Sequence, residues 1–137
     1  MSEVFLDTSF AIALSSVTDQ NHVRAVELTN QIETNKTRLV TTQAILLEIG
    51  NAFSKQRYRA AAIQLLESLE TDPSVEVVLL TNGLYKLAFN LFKQREDKEW
   101  GLVDCISFIV MQERGISDAL TADTHFKQAG FRALLRD

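Results

Sequence analysis

Two short apolar runs that each lead into an aspartate constrain this chain more than anything else in its sequence. Val4-Phe5-Leu6 runs into Asp7-Thr8-Ser9, and Ala119-Leu120-Thr121-Ala122 runs into Asp123. A run of three or four apolar or β-branched residues is too short for a helix and reads as a buried strand; an Asp, Thr or Ser directly after it reads as the start of the next helix. Further strands are expected at Arg38-Leu39-Val40-Thr41 and Val75-Glu76-Val77-Val78-Leu79, and an edge strand at Phe131 to Leu135. Between them, helical patterns run from His22 to Thr34, Thr42 to Arg57, Ala60 to Glu70, Asn82 to Gln94 and Leu102 to Arg114, with Gly115 ending the last. Thr71-Asp72-Pro73-Ser74 is the clearest turn. Strands alternating with helices imply an α/β sandwich around a mainly parallel sheet, whose ligands bind beyond the carboxyl ends of the strands.

Length and composition narrow the class. The 137 residues suit one compact domain spanning 1–137, and a hydrophobic share of 46% is enough for a core. Five Gly and one Pro mark no linker. A net charge of −4 argues against a general nucleic-acid coat, while leaving room for a basic rim around an acidic centre. Cys105 has no partner for a disulfide, and one Cys with two His makes no zinc cluster. The N-terminal MSEVFLDTSF has no signal-peptide pattern, and no apolar run approaches the roughly 20 residues of a membrane span. A reducing cytoplasm is the expected setting.

Four carboxylates stand in apolar surroundings: Asp7, Glu48, Asp104 and Asp123. Three have an ordinary explanation. Asp7 and Asp123 follow strands and could cap the next helix, and Asp104 falls in a first helical turn, where the dipole favours it. Glu48 is harder to dismiss, because it lies three residues after Ile45 and four before Ala52, at the edge of the apolar face. Asp7 and Asp123 should emerge at one edge of one parallel sheet, and the helices bearing Glu48 and Asp104 can bring their carboxylates there. Like charges gathered in a low-dielectric cleft repel, and a divalent cation resolves the repulsion. All-oxygen ligation points to Mg²⁺ or Mn²⁺.

The ordered set FLDTS, a Glu in the middle helix, DKEWGLVDCISF, ALTADTHF and the closing HFKQAGF resembles PIN-domain proteins along essentially the whole chain. It is similar to the VapC-type toxin ribonucleases of bacterial toxin–antitoxin systems. The resemblance implies a PIN-like α/β/α sandwich and an acidic metal centre of Asp7, Glu48, Asp104 and Asp123. It also implies endoribonuclease activity on RNA, a small antitoxin partner and a homodimer. In that reading Asp7 and Asp104 hold the principal metal, Asp123 adds a ligand or binds through water, and Glu48 orients water or a second ion. The segment Cys105-Ile106-Ser107-Phe108 is bulkier than in many relatives.

Around that centre several residues carry two readings. Thr8 and Thr121 could each hold a carboxylate by hydrogen bonding or be ordinary strand-end hydroxyls. Arg95, Lys98 and Lys127 are candidate phosphate contacts. Trp100 could stack on an unpaired base, although packing is the better account of a tryptophan. His22 and His125 read as surface or capping residues, and Cys105 as a small buried hydrophobe. Apolar residues on the early helices, among them Phe10, Ile12, Leu14, Leu46, Leu47, Phe53, Ile63, Leu65, Leu66 and Leu69, exceed what one sheet face needs. That surplus fits an antitoxin segment or a second copy. Two other function classes remain: a Mg²⁺-binding phosphotransfer module, which needs a lysine near the end of a later strand, and a non-catalytic interaction protein of the same fold.

Overall fold

The computed structural model describes residues 2–136. Five strands, β1 (Glu3–Leu6), β2 (Arg38–Thr42), β3 (Val75–Val78), β4 (Asp118–Leu120) and β5 (Arg132–Ala133), form one sheet in the order β3-β2-β1-β4-β5. Every pairing is parallel. The expected α/β/α sandwich is therefore what the chain builds, with a sheet that is wholly rather than mainly parallel.

Seven helices connect the strands: α1 (Thr8–Ser15), α2 (His22–Asn35), α3 (Gln43–Ala52), α4 (Gln56–Thr71), α5 (Asn82–Gln94), α6 (Leu102–Arg114) and α7 (Thr124–Gln128). Helices α1 to α4 pack on one another, as do α5 to α7, and α3 meets α6 where the two groups approach. No helix among the described residues is long and apolar enough to cross a membrane.

The central strand is apolar because both its faces are covered. Val4, Phe5 and Leu6 are buried, along with Val40 on β2 and Ala119 and Leu120 on β4. Strand order reverses beside β1. The chain steps from β1 to β2 to β3 in one direction, then returns to lay β4 on the other side. At such a switch point the connections leave in opposite directions, and a crevice opens beyond the strand ends.

Element boundaries depart from the pattern reading at several places. The stretch expected as one helix over Thr42 to Arg57 is broken: α3 ends at Ala52, and α4 starts at Gln56 rather than Ala60. No Gly or Pro marks this corner. It is made by contacts: Phe53 meets Tyr58 edge to face at 6.3 Å, and Arg59 Nη2 donates to the Ser54 carbonyl at 2.8 Å. Thr42 itself is the N-cap, accepting from the Ile45 N–H. Thr81 caps α5 through the Leu84 N–H. Helix α7 is too short for any periodicity to announce it. The edge strand expected over Phe131 to Leu135 pairs only at Arg132–Ala133. Gly115 closes α6 in the left-handed region with φ 67°, as a helix-terminating glycine does.

Candidate metal centre

Asp7 directly follows β1 and Asp123 lies three residues after β4. Because these strands are adjacent and parallel, both residues leave the sheet at the same edge. Helix α3 brings Glu48 to that edge and the first turn of α6 brings Asp104. All four line one open cleft of about 500 Å³, together with Thr8, Ser9 and Asn51.

The capping explanations divide. Asp7 occupies the N-cap position of α1 but makes no side-chain cap bond. Its carboxylate instead takes the Thr121 hydroxyl at 2.6 Å and the Ser9 hydroxyl at 3.0 Å. Each of those hydroxyls is oriented from behind. Thr121 Oγ1 accepts the Asp123 N–H, and Ser9 Oγ accepts the Ala122 N–H, both at 3.0 Å. The backbone after β4 thus aims two O–H donors at Asp7. Asp123 does cap α7, accepting the His125 N–H at 2.8 Å. Asp104 accepts the Gly101 N–H at 3.2 Å, closing the start of α6. Asp104 and Asp123 therefore serve the local backbone while still lining the cleft. Glu48, half-buried as its place at the edge of the apolar face implied, receives the Thr8 hydroxyl at 2.7 Å. The two threonines considered as carboxylate holders, Thr8 and Thr121, both act as such.

Burial dominates the electrostatics. Asp7 is pushed up from 3.8 to about 6, chiefly because burial penalises its charged form. The two hydroxyls oppose that rise, and the neighbouring Asp104 charge adds to it. Asp104 is also raised, again first by burial, with His125 and the Gly101 N–H pulling it down and Asp123 pushing it up. No Lys or Arg is among the residues lining the cleft.

His125, read from sequence as a surface or capping residue, belongs to the site. Its Nδ1 lies 2.9 Å from Asp104 Oδ2 and 3.4 Å from Asp123 Oδ1. These three side chains offer atoms close enough to hold one metal ion. The signal was the spacing Asp123-x-His125, which puts an imidazole in the first turn of the helix Asp123 caps. Ser9 was also missed; a serine two residues after a strand-end Asp looks like any helix-start hydroxyl.

Trp100 packs instead of facing substrate. It is buried, donates Nε1–H to Gln128 Oε1 at 3.0 Å, and meets Phe108 edge to face at 4.9 Å. Two candidate phosphate contacts are engaged elsewhere: Arg95 and Lys98 both pair with Asp97, and Arg95 also covers the Trp100 ring. Cys105 is buried and its thiol is pushed up to about 11, mainly by that burial, so it is an inert apolar filler.

A parallel sheet with carboxylates collected at its switch point defines an acidic-cleft α/β protein. A profile for the PIN domain matches residues 4–132, and the chain belongs to the PIN-domain family. It is 31% identical over 129 residues to the 23S rRNA-specific endonuclease VapC20 of Mycobacterium tuberculosis, a match covering 93% of this chain and 95% of the relative. The crystal structure of M. tuberculosis VapC20, a sarcin-ricin loop cleaving toxin, is similar with a TM-score of 0.80 and 27% identity. That match covers 93% of this chain and 95% of the crystallised one.

Proposed function

We propose that this chain is a metal-dependent endoribonuclease that hydrolyses RNA phosphodiester bonds and serves as the toxin of a toxin–antitoxin pair. The observation that carries the reading is the set of four carboxylates on one cleft whose lining has no cationic side chain. Placing carboxylates together in a partly buried cleft costs free energy unless positive charge arrives. The raised Asp7 and Asp104 are the physical sign of that cost. The donors are hard oxygens, with one imidazole at the margin, which suits Mg²⁺ or Mn²⁺.

Asp104 and Asp123 are assigned to hold the ion, with Asp7 adding a ligand from beside them in the cleft and Glu48 orienting water. When bound, the ion supplies positive charge for the phosphate and acidifies its water. The remaining work belongs to the chain. Thr121 and Ser9 keep Asp7 ionised and fixed by donating two hydrogen bonds to it. Thr8 fixes Glu48 in the same way. His125 lies against both Asp104 and Asp123 and ties them together. No lysine lines the cleft, so the phosphotransfer reading lacks the cation it requires.

The sequence-similar VapC20 acts on 23S rRNA. A sarcin–ricin hairpin is therefore the first substrate to try. The apolar groove of about 190 Å³ bounded by Phe10, Leu14, Ile32, Leu65 and Leu69 has room for an apolar side chain of a small antitoxin. The outward-facing Leu47 and Ile63 add apolar surface for it or for a second copy in a homodimer. Residues 1–137 act in this reading as one nuclease domain, working in the cytoplasm where its RNA is found.

Incubating the purified chain with the hairpin and with total RNA tests the reading. Cleavage with Mn²⁺ or Mg²⁺, none with chelator, and none from Asp7→Asn is the expected result. Cleavage that survives chelation, or that Asp7→Asn retains, would overturn it.

A further inference from the structure

Five cationic side chains stand in ion pairs among the described residues. Arg24 pairs with Glu27, Arg95 and Lys98 with Asp97, Arg114 with Glu76, and Arg132 with Asp118. The corner between α3 and α4 instead clusters cations with no acid nearby in sequence. Lys55, Arg57 and Arg59 fall within five positions, all exposed, and among the described residues none forms an ion pair. No acidic residue occurs between Glu48 and Glu67. The corner is therefore a purely cationic surface on an otherwise net-negative protein.

That placement is unfavourable for the helix. Lys55 is the N-cap of α4 without a side-chain cap bond, Arg57 and Arg59 stand in the first turn, and no acidic residue occurs there. The positive end of a helix dipole disfavours cations, so folding alone does not call for them. An aromatic surface accompanies the charge: Tyr58 is 41% exposed, with the Arg57 guanidinium 4.7 Å above its ring.

The corner adjoins the acidic cleft. Asn51 and Ala52 line that cleft, and Ala52 also lines a second depression of about 310 Å³ with Phe53 and Tyr58. One surface thus runs from the carboxylates across Ala52 to Tyr58, whose ring the Arg57 guanidinium covers. Resting on the nuclease reading, we propose that the α3–α4 corner is the RNA-binding subsite next to the cleft. Lys55, Arg57 and Arg59 receive the phosphates of the strand flanking the scissile bond, and the Tyr58–Arg57 stack supports an unpaired base. An acidic cleft repels the backbone that it must cut, and a cationic patch just outside it offsets that repulsion. Flat guanidinium and phenol surfaces suit stacking on single-stranded RNA. The corner replaces Arg95 and Lys98, which Asp97 occupies, as the source of phosphate contacts.

The test uses the full chain carrying Asp104→Asn, so that RNA is not consumed, in Mg²⁺ and a series of KCl concentrations. A fluorescein-labelled single-stranded oligoribonucleotide is the probe. Adding Lys55→Gln, Arg57→Gln and Arg59→Gln should weaken binding at low salt by about tenfold or more. It should also lower the slope of log K against log salt by about 2, at roughly 0.7 per phosphate for single strands. The added substitutions should not lower the melting temperature, because they relieve the dipole conflict, and Arg57→Lys should leave the salt slope unchanged. Equal affinity and slope with and without the three substitutions would overturn the proposal. So would RNA binding that is equal while an acidic peptide alone distinguishes the two proteins, which would assign the corner to a protein partner. Loss of the nuclease reading is seen separately, as failure of the unsubstituted chain to cut any RNA with metal.

Discussion

The two ends of the sheet treat carboxylates in opposite ways. Near the amino ends of the strands two partly buried acids have an arginine: Glu76 on β3 faces Arg114 at 2.7 Å, and Asp118 at the start of β4 faces Arg132 at 3.5 Å. Arg114 holds the Glu76 carboxyl below its usual range. At the carboxyl ends, Asp7 and Asp104 are instead raised by burial, and the hydrogen bonds they receive do not cancel that rise. One end is a finished surface. The other is built with a deficit of positive charge, which is how a protein reserves a place for a cation.

Removing a carboxylate from each end should break the comparison most visibly in activity. Asp104→Asn is expected to reduce RNA cleavage by roughly a hundred- to a thousand-fold or more, the scale of losing one preorganised electrostatic group at a reacting centre. Glu76→Gln should leave cleavage unchanged. Initial rates on a labelled hairpin in Mn²⁺ check both. Added Mn²⁺ should also raise the melting temperature of the wild type more than that of Asp104→Asn; equal shifts would remove Asp104 from the ligand set.

Stability without metal sharpens the same contrast. Well below pH 3.8 Asp7 is protonated whether folded or not, so it contributes no difference. Between about pH 4 and 6 the folded protein keeps the proton that the unfolded chain has lost. Stability therefore falls as pH rises through this window and stays reduced above it. A rise from 3.8 to about 6 corresponds to about 3 kcal/mol at 1.36 kcal/mol per unit, taken as an upper bound. Asp7→Asn, which keeps an acceptor for Thr121 and Ser9, should match the wild type at pH ~3 and exceed it at pH ~8. Urea melts in chelator across that range measure the difference. A gap independent of pH would show that burial of the Asp7 charge is not its cause.

A smaller effect is expected at His125. The imidazole holds Asp104 and Asp123 together, and losing such a supporting hydrogen bond typically costs about 10- to 100-fold in metal affinity. Calorimetric Mn²⁺ titration should show that loss for His125→Ala. His125→Asn, whose amide can stand where Nδ1 stands, should recover part of it; affinity unchanged in both would make the imidazole a bystander. The smallest change belongs to the opposite end. Arg114→Ala should cost no more than about 1 kcal/mol, because the Glu76 pair is half-exposed and water replaces much of it. A larger loss in a chemical melt would mean that the amino-end pairs carry structural weight comparable to the cleft.

Much of the architecture was legible in local sequence. Strand residues at 4–6, 38–41 and 75–78 and helices at 82–94 and 102–114 follow from short β-branched runs, helical periodicity and a terminating glycine. The convergence of Asp7 and Asp123 was legible too. A parallel sheet brings successive strand ends to one edge, and the residue after an apolar strand must emerge there. Glu48 stood out because a carboxylate at the edge of an apolar helix face has a cost that demands a reason.

Tertiary structure alone decided the rest. The α3–α4 corner carries no Gly or Pro; the packing of Phe53 on Tyr58 and the Arg59 bond to Ser54 turn the chain, and only that turn sets three unpaired cations beside the cleft. His125 looked like a helix-start residue because its partners, Asp104 and Asp123, come from different elements. Arg95 and Lys98 looked available until Asp97 was seen to hold them. Trp100 could have faced substrate until Phe108 and Gln128 gave it a packed and hydrogen-bonded place. Periodicity and strand ends are properties of neighbouring residues, so the sequence determines them by itself. Whether a charge is paired, buried or free depends on groups far away along the chain, and folding alone brings those groups into contact.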